Sequence, residues 1–578
     1  MNRIVYGSQR MKKMFLRFYL LSLALVLAIG FMSGPVCSQD RIGLYDLWEI
    51  QVTNNNDFTN PFVFTEIELA ATFMSPSGRK ITFFGFYDGD GSGGQTGNTW
   101  KLRFMPDEVG TWAYSYMWTD ETTGGSGSFV VIDNTNPKNH GHVHVDPNHP
   151  KYLVHDDGTP HYWWGANWID PSSRGPRYKE GKQNPGFISD KQFIQYLDLL
   201  ESYGHNGLLI KMALFPLEND KYSWDIKWIN RAEWLIREMA KRGIYTQVNF
   251  FDTWSREKNT LKVNTDGEQQ VFNVWKPGDE GPKKNYIKTV IARFASFPNV
   301  YWELGNEMEH SPNSGKDFVK QANSKYIPWI RQYDPYNLPI GLSEGCWRTA
   351  DVDIGFIHQP DILLAFFSYS WKQPVKFAKQ FIKRYLKIGT HWDRPVIMNE
   401  LVRSGITGPM WKDSTIRDSA NRIAFRRTFW LMFTKGGCGS SEATWLNFDM
   451  PLNQAVLNVM ADQKRLRNFV ETLPVNINEM ISDNTFIISG PGSHETRSRI
   501  GNVYVTYFHL LPGQVFSKGI VEVRLLEGNY KTTWFNPKDG RFTVSEMATS
   551  NGQTMALDHP SFIEDIVLLA INNHLERN

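Results

Sequence analysis

Two patterns of apolar residues alternate along the chain and divide it into three regions. In residues 41–135 and again in 475–578, short runs alternate apolar with polar or small side chains, and Gly, Asn and Asp separate them. Between these regions, in residues 162–473, short apolar runs alternate with stretches in which apolar residues recur every three or four positions. The first pattern is typical of half-buried antiparallel strands, and the second of strands alternating with amphipathic helices.

The central region predicts eight strands with helices between them. We expect the strands at 162–168, 207–213, 245–251, 300–305, 340–343, 362–369, 395–400 and 440–445. The first helix is expected to begin near Asp190 and to stop at Gly204. Eight such units over roughly 300 residues predict an α/β fold of the (β/α)8 TIM-barrel type. A doubly wound sheet usually carries a glycine-rich phosphate turn after its first strand, and Gly165-Ala-Asn-Trp168 is not one.

The two flanking regions predict β-sandwich domains, at 41–135 and at 475–578, and residues 136–161 are expected to link the first sandwich to the barrel. The loop Asp88–Gly94 could bind calcium, but an EF-hand loop needs an acidic residue where Thr99 stands, so a hairpin loop is favoured.

The linker contains three alternating histidines, His140, His142 and His144, that would share one face of a strand. They could bind a metal, but no Cys or carboxylate spacing supports a ligand set, and an exposed linker strand is favoured. We therefore expect neither a metal nor a cofactor.

The first 38 residues predict a cleaved export signal. Basic residues precede an apolar run at 18–32, which is followed by small residues. The run is shorter than the ~20 residues that span a bilayer. The mature protein is thus expected in the periplasm or outside the cell, without stable membrane insertion. It would retain Cys346 and Cys438, which no spacing rule assigns either to a disulfide or to free thiols.

Composition narrows the class of partner. The net charge is only +2, which argues against a dedicated nucleic-acid binder. Aromatic residues make up 14% of the chain, with 21 Trp. Indole rings can stack on the apolar faces of sugar rings, so a polysaccharide or oligosaccharide is the expected partner. Composition leaves the oligomeric state open.

Two predicted strands end in the same dipeptide. The fourth ends in Asn306-Glu307 and the seventh in Asn399-Glu400. Catalytic groups of such barrels lie at the carboxyl ends of strands, and two carboxylates facing each other are the apparatus for glycosidic bond cleavage. An ionised Glu400 would keep Glu307 protonated, and the Asn306 amide could bind a sugar 2-hydroxyl.

Other carboxylates compete for these roles. Glu303 and Glu309 flank Glu307, and either would face the mouth if the fourth strand ended elsewhere. Glu344, after the fifth strand, is the rival of Glu400.

These motifs carry a family resemblance. Asn306-Glu307 and Glu400 resemble the retaining glycoside hydrolases of clan A, close to the cellulase-like family 5. The stretch Phe84–Asp90, together with the segment around Trp100–Trp112, resembles the DUF5060 domain found ahead of such barrels. Trp534–Gly540 resembles a C-terminal sandwich of the type named collagen-binding, and the same three-part layout occurs in apiosidase-like (DUF4038) enzymes.

The resemblance implies roles for individual residues. Glu307 matches the acid/base, Glu400 the nucleophile, and Asn306 the residue before the acid/base. Tyr369, near the end of the expected sixth strand, matches a tyrosine that hydrogen-bonds the nucleophile, and Trp445, ending the eighth, matches a sugar platform.

Three further positions bear on substrate binding. Many clan members carry Arg where this chain has Lys211, and lysine lacks the planar fork of arginine. Trp164 and Asn167 are expected to end the first strand, where they could line sugar subsites or pack in the core.

Two classes of function remain open at this level. One is a secreted retaining β-glycosidase acting on a plant or algal polysaccharide. The other is a non-catalytic carbohydrate-binding or adhesive protein with an inactive barrel. Intact carboxylates at both positions favour the enzyme. Inverting chemistry is the alternative within the enzyme class, to be distinguished by the separation of the carboxyl groups. A metallohydrolase is less favoured, because no HExxH-type ligand set occurs.

Overall fold

Aromatic side chains hold the N-terminal region together as two facing sheets. The computed structural model describes residues 40–169, 190–210, 220–252, 273–310, 315–343, 345–358, 394–400, 414–440, 454–509 and 513–577. The first eight strands are β1 Arg41–Gly43, β2 Trp48–Thr53, β3 Leu69–Met74, β4 Lys80–Phe84, β5 Phe86–Tyr87, β6 Thr99–Phe104, β7 Gly110–Trp118 and β8 Gly125–Ile132. They form one sheet in the order β1-β8-β7-β3-β4 and another in the order β2-β6-β5. Phe73 and Phe104 stack between the sheets with ring centroids 4.0 Å apart.

The expected linker forms a small sheet of its own. Its strands are β9 Val143–Val145, β10 Leu153–His155 and β11 Pro160–His161, in the order β11-β10-β9. Val143 and Leu153 pack against residues at the amino-terminal ends of the barrel strands, such as Tyr301 and Ile397. The sheet therefore closes the floor of the barrel, opposite the ends where catalytic groups are expected.

The linker histidines have separate environments. His142 is buried, with Nε2 3.1 Å from the carbonyl oxygen of Phe297. His140 and His144 pair with Asp157 and Asp156. The expectation of an exposed linker strand is therefore wrong for His142, because this segment packs under the barrel.

Eight parallel strands form a closed barrel, as predicted. They are β12 Trp164–Ile169, β13 Gly207–Ile210, β14 Thr246–Asp252, β15 Val300–Asn306, β16 Ile340–Ser343, β17 Ile354–His358, β18 Val396–Glu400 and β19 Cys438–Ser440. Closure is made where β19 pairs with β12, with Trp164 opposite Gly439. The sequence-based expectation of a TIM barrel is confirmed.

The helices around the barrel follow the predicted apolar spacing. Their bounds are α1 Asp190–Ser202, α2 Ile226–Ala240, α3 Glu280–Phe294, α4 Lys316–Gln321, α5 Ile327–Tyr333, α6 Ser414–Thr434 and α7 Gln454–Glu471, with a π-helical turn at Ala322–Tyr326. At the start of α2, the Asp225 side chain caps the helix by accepting a hydrogen bond from the backbone N–H of Trp228 at 3.1 Å. Ile229 and Ile236 on the inner face of the helix are fully buried. None of the helices in the described ranges has the length and apolar character needed to cross a bilayer.

The sixth barrel strand differs from the prediction. It is Ile354–His358 and not 362–369. The prediction assumed a helix between the fifth and sixth strands, whereas only a 3-10 turn at Cys346–Arg348 intervenes. Asp353 fixes the early start, because its carboxylate accepts the Ile340 N–H at 2.7 Å while its own N–H donates to the Ile340 carbonyl. The eighth strand likewise begins at Cys438, two residues before the predicted start.

The C-terminal region forms a second set of antiparallel sheets. Its strands are β20 Ile481–Ser482, β21 Ile487–Ser489, β22 Ser493–Arg499, β23 Val503–His509, β24 Val515–Phe516, β25 Gly519–Arg524, β26 Gly528–Asn536, β27 Arg541–Ser550, β28 Thr554–His559, β29 Phe562–Ile563 and β30 Asp565–Asn572. The main sheet has the order β20-β22-β23-β30-β26-β27, and it faces the sheet β21-β25-β28. Trp430 of α6 stacks on Tyr507 of β23 at 5.6 Å, which joins this region to the barrel.

A buried ionic cluster joins the N-terminal sheets to the barrel helices. Asp88 is fully buried and pairs with Lys101 at 2.6 Å and with Arg293 of α3 at 2.7 Å. Arg103 pairs with Glu233 of α2 at 2.6 Å, and Glu233 also contacts Arg293 at 3.1 Å. Asp88 is therefore engaged in ion pairs rather than in a calcium loop. The rest of the loop is held by Asp90, which accepts the N–H groups of Ser92 and Gly94.

Candidate active site

Hydrogen-bonded polar side chains run through the interior of the barrel and link the strands that lead to the mouth. Asn249 donates to Glu303 Oε2 at 3.2 Å. Gln247 donates to Tyr301 Oη at 3.0 Å and accepts from the Asn399 amide at 2.9 Å. These side chains are 0–1% exposed. Buried hydrogen-bonded networks rigidify the elements that carry them, so β14, β15 and β18 present their carboxyl ends in a defined arrangement.

Glu307 lies immediately beyond β15, in a turn that its residue type disfavours. Its φ of 54° is in the left-handed region, which costs a side chain other than Gly about 1–2 kcal/mol. Such strain persists where the surroundings over-determine the backbone, and it is frequent at functional sites. Glu307 is 1% exposed and Asn306 is fully buried.

Neighbouring elements hold this turn at several atoms. Ser343, at the end of β16, accepts the Glu307 N–H at 2.6 Å and donates to the Gly305 carbonyl at 3.0 Å. The Trp275 indole donates to the Met308 carbonyl at 3.3 Å. The chain folds back so closely that a Cβ at Gly305 would lie 2.6 Å from Met308 Cγ. The backbone conformation of Glu307 is thus held by contacts from the fifth strand, β16, as well as by its attachment to the fourth, β15.

The two rivals of Glu307 have other contacts. Glu303 lies within the barrel, where Asn249 donates to it. Glu309 Oε1 accepts the backbone N–H of Gly345 at 2.8 Å, which ties the turn to the loop after β16. The sequence predicted Glu307 just beyond the fourth strand, and its backbone follows β15 there. It did not point to Ser343, because serine at a strand end is not a distinctive signal.

Glu400 ends β18, the seventh strand, three strands along the barrel from β15. The pairing of β17 with β18 shifts by one residue, from Phe356 opposite Ile397 to His358 opposite Glu400. A bulge of this kind changes which residues share a face of the strand, and bulges are frequent beside active sites. A second shift occurs in β12, between Ala166 and Ile169, and it spans Asn167.

Several predicted site residues fall elsewhere. Trp164 begins β12 instead of ending it, and its ring packs on Tyr162 at 4.2 Å, so it lies at the floor end and not at the mouth. The prediction for Trp164 was wrong because β12 begins at Trp164, two residues after the start of the apolar run at 162. Tyr369 was expected in a sixth strand at 362–369, whereas β17 is Ile354–His358.

Part of the predicted site lies outside the described residues. These positions are Lys211, Glu344, Tyr369 and Trp445. For Asn167 and Glu400 the backbone is described but the side chain is not.

The part of the chain that the structure describes contains neither a group of metal ligands nor a disulfide. There, no three His, Cys, Asp or Glu side chains form a group that could hold a metal ion. Cys346 and Cys438 are not joined in a disulfide, and burial raises the pKa of Cys438 to about 12, which keeps that thiol protonated at neutral pH.

Comparison with known proteins agrees with this geometry. Residues 41–118 match the family model of DUF5060, a domain of unknown function, and residues 182–361 match that of Cellulase (glycosyl hydrolase family 5). The second match contains β15 and the Glu307 turn. No curated protein matches the chain in sequence.

Solved structures share the fold. A protein from Bacteroides vulgatus ATCC 8482, named as a candidate glycoside hydrolase, superposes with a TM-score of 0.65 at 18% identity, covering 92% of this chain and 100% of its own. A second protein, named glycoside hydrolase, gives 0.50 at 15% identity over 76% of this chain and 98% of its own. A family 5 glycoside hydrolase from the same Bacteroides strain gives 0.49 at 15% identity, with 76% and 94% covered.

The matched families and the barrel lead to one conclusion. Residues 182–361 match the cellulase model of glycosyl hydrolase family 5 and follow a DUF5060 match at 41–118, and together with the closed barrel these matches support a glycoside hydrolase.

Proposed function

We propose that the protein is an exported retaining β-glycosidase that cleaves a plant or algal polysaccharide, with Glu307 as acid/base and Glu400 as nucleophile. The observation that carries this proposal is the placement of the two residues. Glu307 is held in a strained, buried turn after the fourth strand, and Glu400 ends the seventh strand of the same closed barrel. Two carboxyl groups at one mouth are what a double displacement requires.

The first step follows from the charges. An ionised Glu400 disfavours a second negative charge in the same cavity, so Glu307 keeps its proton. Glu307 gives that proton to the departing glycosidic oxygen while a Glu400 oxygen attacks the anomeric carbon. The bond to the leaving sugar breaks, and a glycosyl ester of Glu400 forms. In this proposal Asn306, adjacent to Glu307, binds the sugar 2-hydroxyl, a contact that strengthens as the ring gains positive charge.

The second step reverses the role of Glu307. Once Glu400 is esterified it carries no charge, and Glu307, now ionised, removes a proton from water. The water oxygen attacks the anomeric carbon and the ester bond to Glu400 breaks, which restores both carboxyl groups. Two inversions at the same carbon leave the product with the configuration of the substrate.

The test starts with a panel of plant and algal β-glycans, with the product sizes measured. We expect E307Q to lower kcat/KM on the best glycan about 10²–10⁴-fold, the usual contribution of a general acid. E309Q is the matched control, because an amide oxygen can still accept the Gly345 N–H. It should retain activity within about threefold, a change below 1 kcal/mol. Equal activity of E307Q and the unchanged enzyme would reject the assignment of Glu307.

The stereochemical outcome is a separate measurement. NMR of the first product formed should show the anomeric configuration of the substrate, whereas an inverted product would replace the ester intermediate by direct attack of water. Export is tested by expressing the full chain in a bacterial host and determining the mature N-terminus. Cleavage near residue 38 supports export, and a cytoplasmic protein with its N-terminus intact contradicts it.

A further inference from the structure

Ser343 is the last residue of β16 and is fully buried. Its hydroxyl accepts the Glu307 N–H at 2.6 Å and donates to the Gly305 carbonyl at 3.0 Å. The Ser343 side chain is therefore hydrogen-bonded to the backbone on both sides of Asn306. The hydroxyl uses its single proton on the Gly305 carbonyl and one of its two acceptor lone pairs on the Glu307 N–H.

The backbone ladder does not provide these contacts. The pairing of β15 with β16 runs from Trp302 opposite Ile340 to Glu303 opposite Gly341. β15 continues to Asn306, where it still pairs with β14, and the chain then turns at Glu307 into the left-handed conformation. The Ser343 hydroxyl takes the place of the ladder at the point where the strand becomes the catalytic turn.

We propose that Ser343 is a positioning residue, which sets the direction of the Glu307 carboxyl group toward the leaving oxygen without touching the substrate. The inference rests on the proposed role of Glu307. Because proton transfer depends steeply on distance and angle, a displacement of about 1 Å can cost a hundredfold in rate. Removing the hydroxyl should therefore weaken acid catalysis specifically.

Leaving-group dependence separates this role from a purely structural one. The probes are the glycan cleaved fastest in the panel and the 2,4-dinitrophenyl β-glycoside of its terminal sugar. Dinitrophenolate departs without protonation, so kcat/KM on that probe, which reports the first step, does not need the acid. We expect S343A to lower kcat/KM about 10–100-fold on the glycan and less than about threefold on the dinitrophenyl glycoside.

Two further variants test whether the loss of activity in S343A comes from the missing hydroxyl. S343C keeps nearly the same volume and weakens both hydrogen bonds, so it should show the same selective loss even where S343A folds poorly. S296A removes another fully buried hydroxyl, one that lies 3.2 Å from Tyr336 Oη and away from the mouth. It should change neither probe by more than about threefold.

The outcomes separate the two proposals. If E307Q is inactive on the glycan while S343A and S343C lose activity on the glycan alone, the positioning role is supported. If E307Q is inactive but the Ser343 variants are unchanged, or are slowed equally on both probes, the positioning role is overturned while the function stands. If E307Q remains fully active, the role of Glu307 fails and that of Ser343 with it.

Discussion

At the scale of single residues, the site depends on a turn that only certain side chains permit. Glu307 occupies a left-handed conformation, and Gly305, two residues earlier, allows the chain to fold back on Met308. Ser343 and Trp275 hold the turn from neighbouring elements. Glu307, the proposed acid/base, is thereby held on a constrained backbone, which favours a fixed direction of its carboxyl group.

Gly305→Ala tests this constraint. The added methyl group would lie 2.6 Å from Met308 Cγ and 3.1 Å from Phe318 Cζ. Overpacking of this kind costs about 1–3 kcal/mol and moves the backbone. We expect kcat/KM, measured by steady-state kinetics, to fall at least about tenfold. The free energy of unfolding, measured by urea titration, should change by a smaller fraction of its value.

The matched control is Gly345→Ala in the adjoining loop. Among the residues that the structure describes, Glu309 Oε1 alone would lie within 4 Å of a Cβ there, at 3.9 Å. It should leave both activity and stability nearly unchanged. If the two variants behave alike, the close approach at Gly305 has no bearing on catalysis.

At the scale of elements, the small sheet β9–β11 closes the barrel floor with histidines that burial keeps neutral. His155 and His161 are in contact, with ring nitrogens 3.2 Å apart, and Tyr245 packs on both. Burial lowers the pKa of His161 to about 3, with His140 adding to the effect, and burial lowers the pKa of His142 to about 4. The pKa of His155 is lowered by burial and by His161.

These shifts predict loss of stability in acid. In the unfolded chain the histidines protonate near pH 6.5, whereas in the folded protein they remain neutral until the pH approaches their lowered values. The unfolded state therefore binds more protons below pH 6.5, and each histidine removes about 1.4 kcal/mol of stability per pH unit as the pH falls. Melting curves between pH 7 and 4 should show this decline.

His161→Phe should make the decline shallower, because it removes one of these groups and keeps an aromatic ring beside Tyr245 and Tyr301. His574→Gln is the control, because His574 is exposed near the C-terminus and should leave the slope unchanged. Equal slopes for all three proteins would show that the floor histidines do not govern acid stability.

At the scale of the whole molecule, buried ion pairs join the N-terminal sheets to two helices that surround the barrel. Arg103 of β6 and Arg293 of α3 are fully buried and share Glu233 of α2 between them. Burial opposes ionisation of Glu233, but Arg103 and Arg293 outweigh it and lower its pKa to about 2. Charges buried in this way need their partners, and removing one partner typically costs about 3–5 kcal/mol.

Asp88→Asn tests the dependence of the barrel on these sheets. It leaves Lys101 and Arg293 without the carboxylate that both contact, and we expect a loss of about 3–5 kcal/mol in the free energy of unfolding, measured by denaturant titration. Asp107→Asn breaks an exposed pair with Arg79 and should cost less than about 1 kcal/mol. A single unfolding transition followed by both tryptophan fluorescence and activity is expected; separate transitions would mean that the sheets and the barrel unfold independently.

Apolar periodicity along the chain predicted the barrel, a backbone position for Glu307 just after the fourth strand and one for Glu400 at the end of the seventh, because this periodicity is a local property. Other features depend on contacts that form only when the chain has folded. The sixth strand begins at Ile354 because Asp353 bonds to the start of the fifth strand, and Asp88 became an ion-pair partner because α3 brings Arg293 to it. The left-handed turn at Glu307 depends on Ser343 from another strand. These contacts join residues distant in the chain, and no local pattern encodes them.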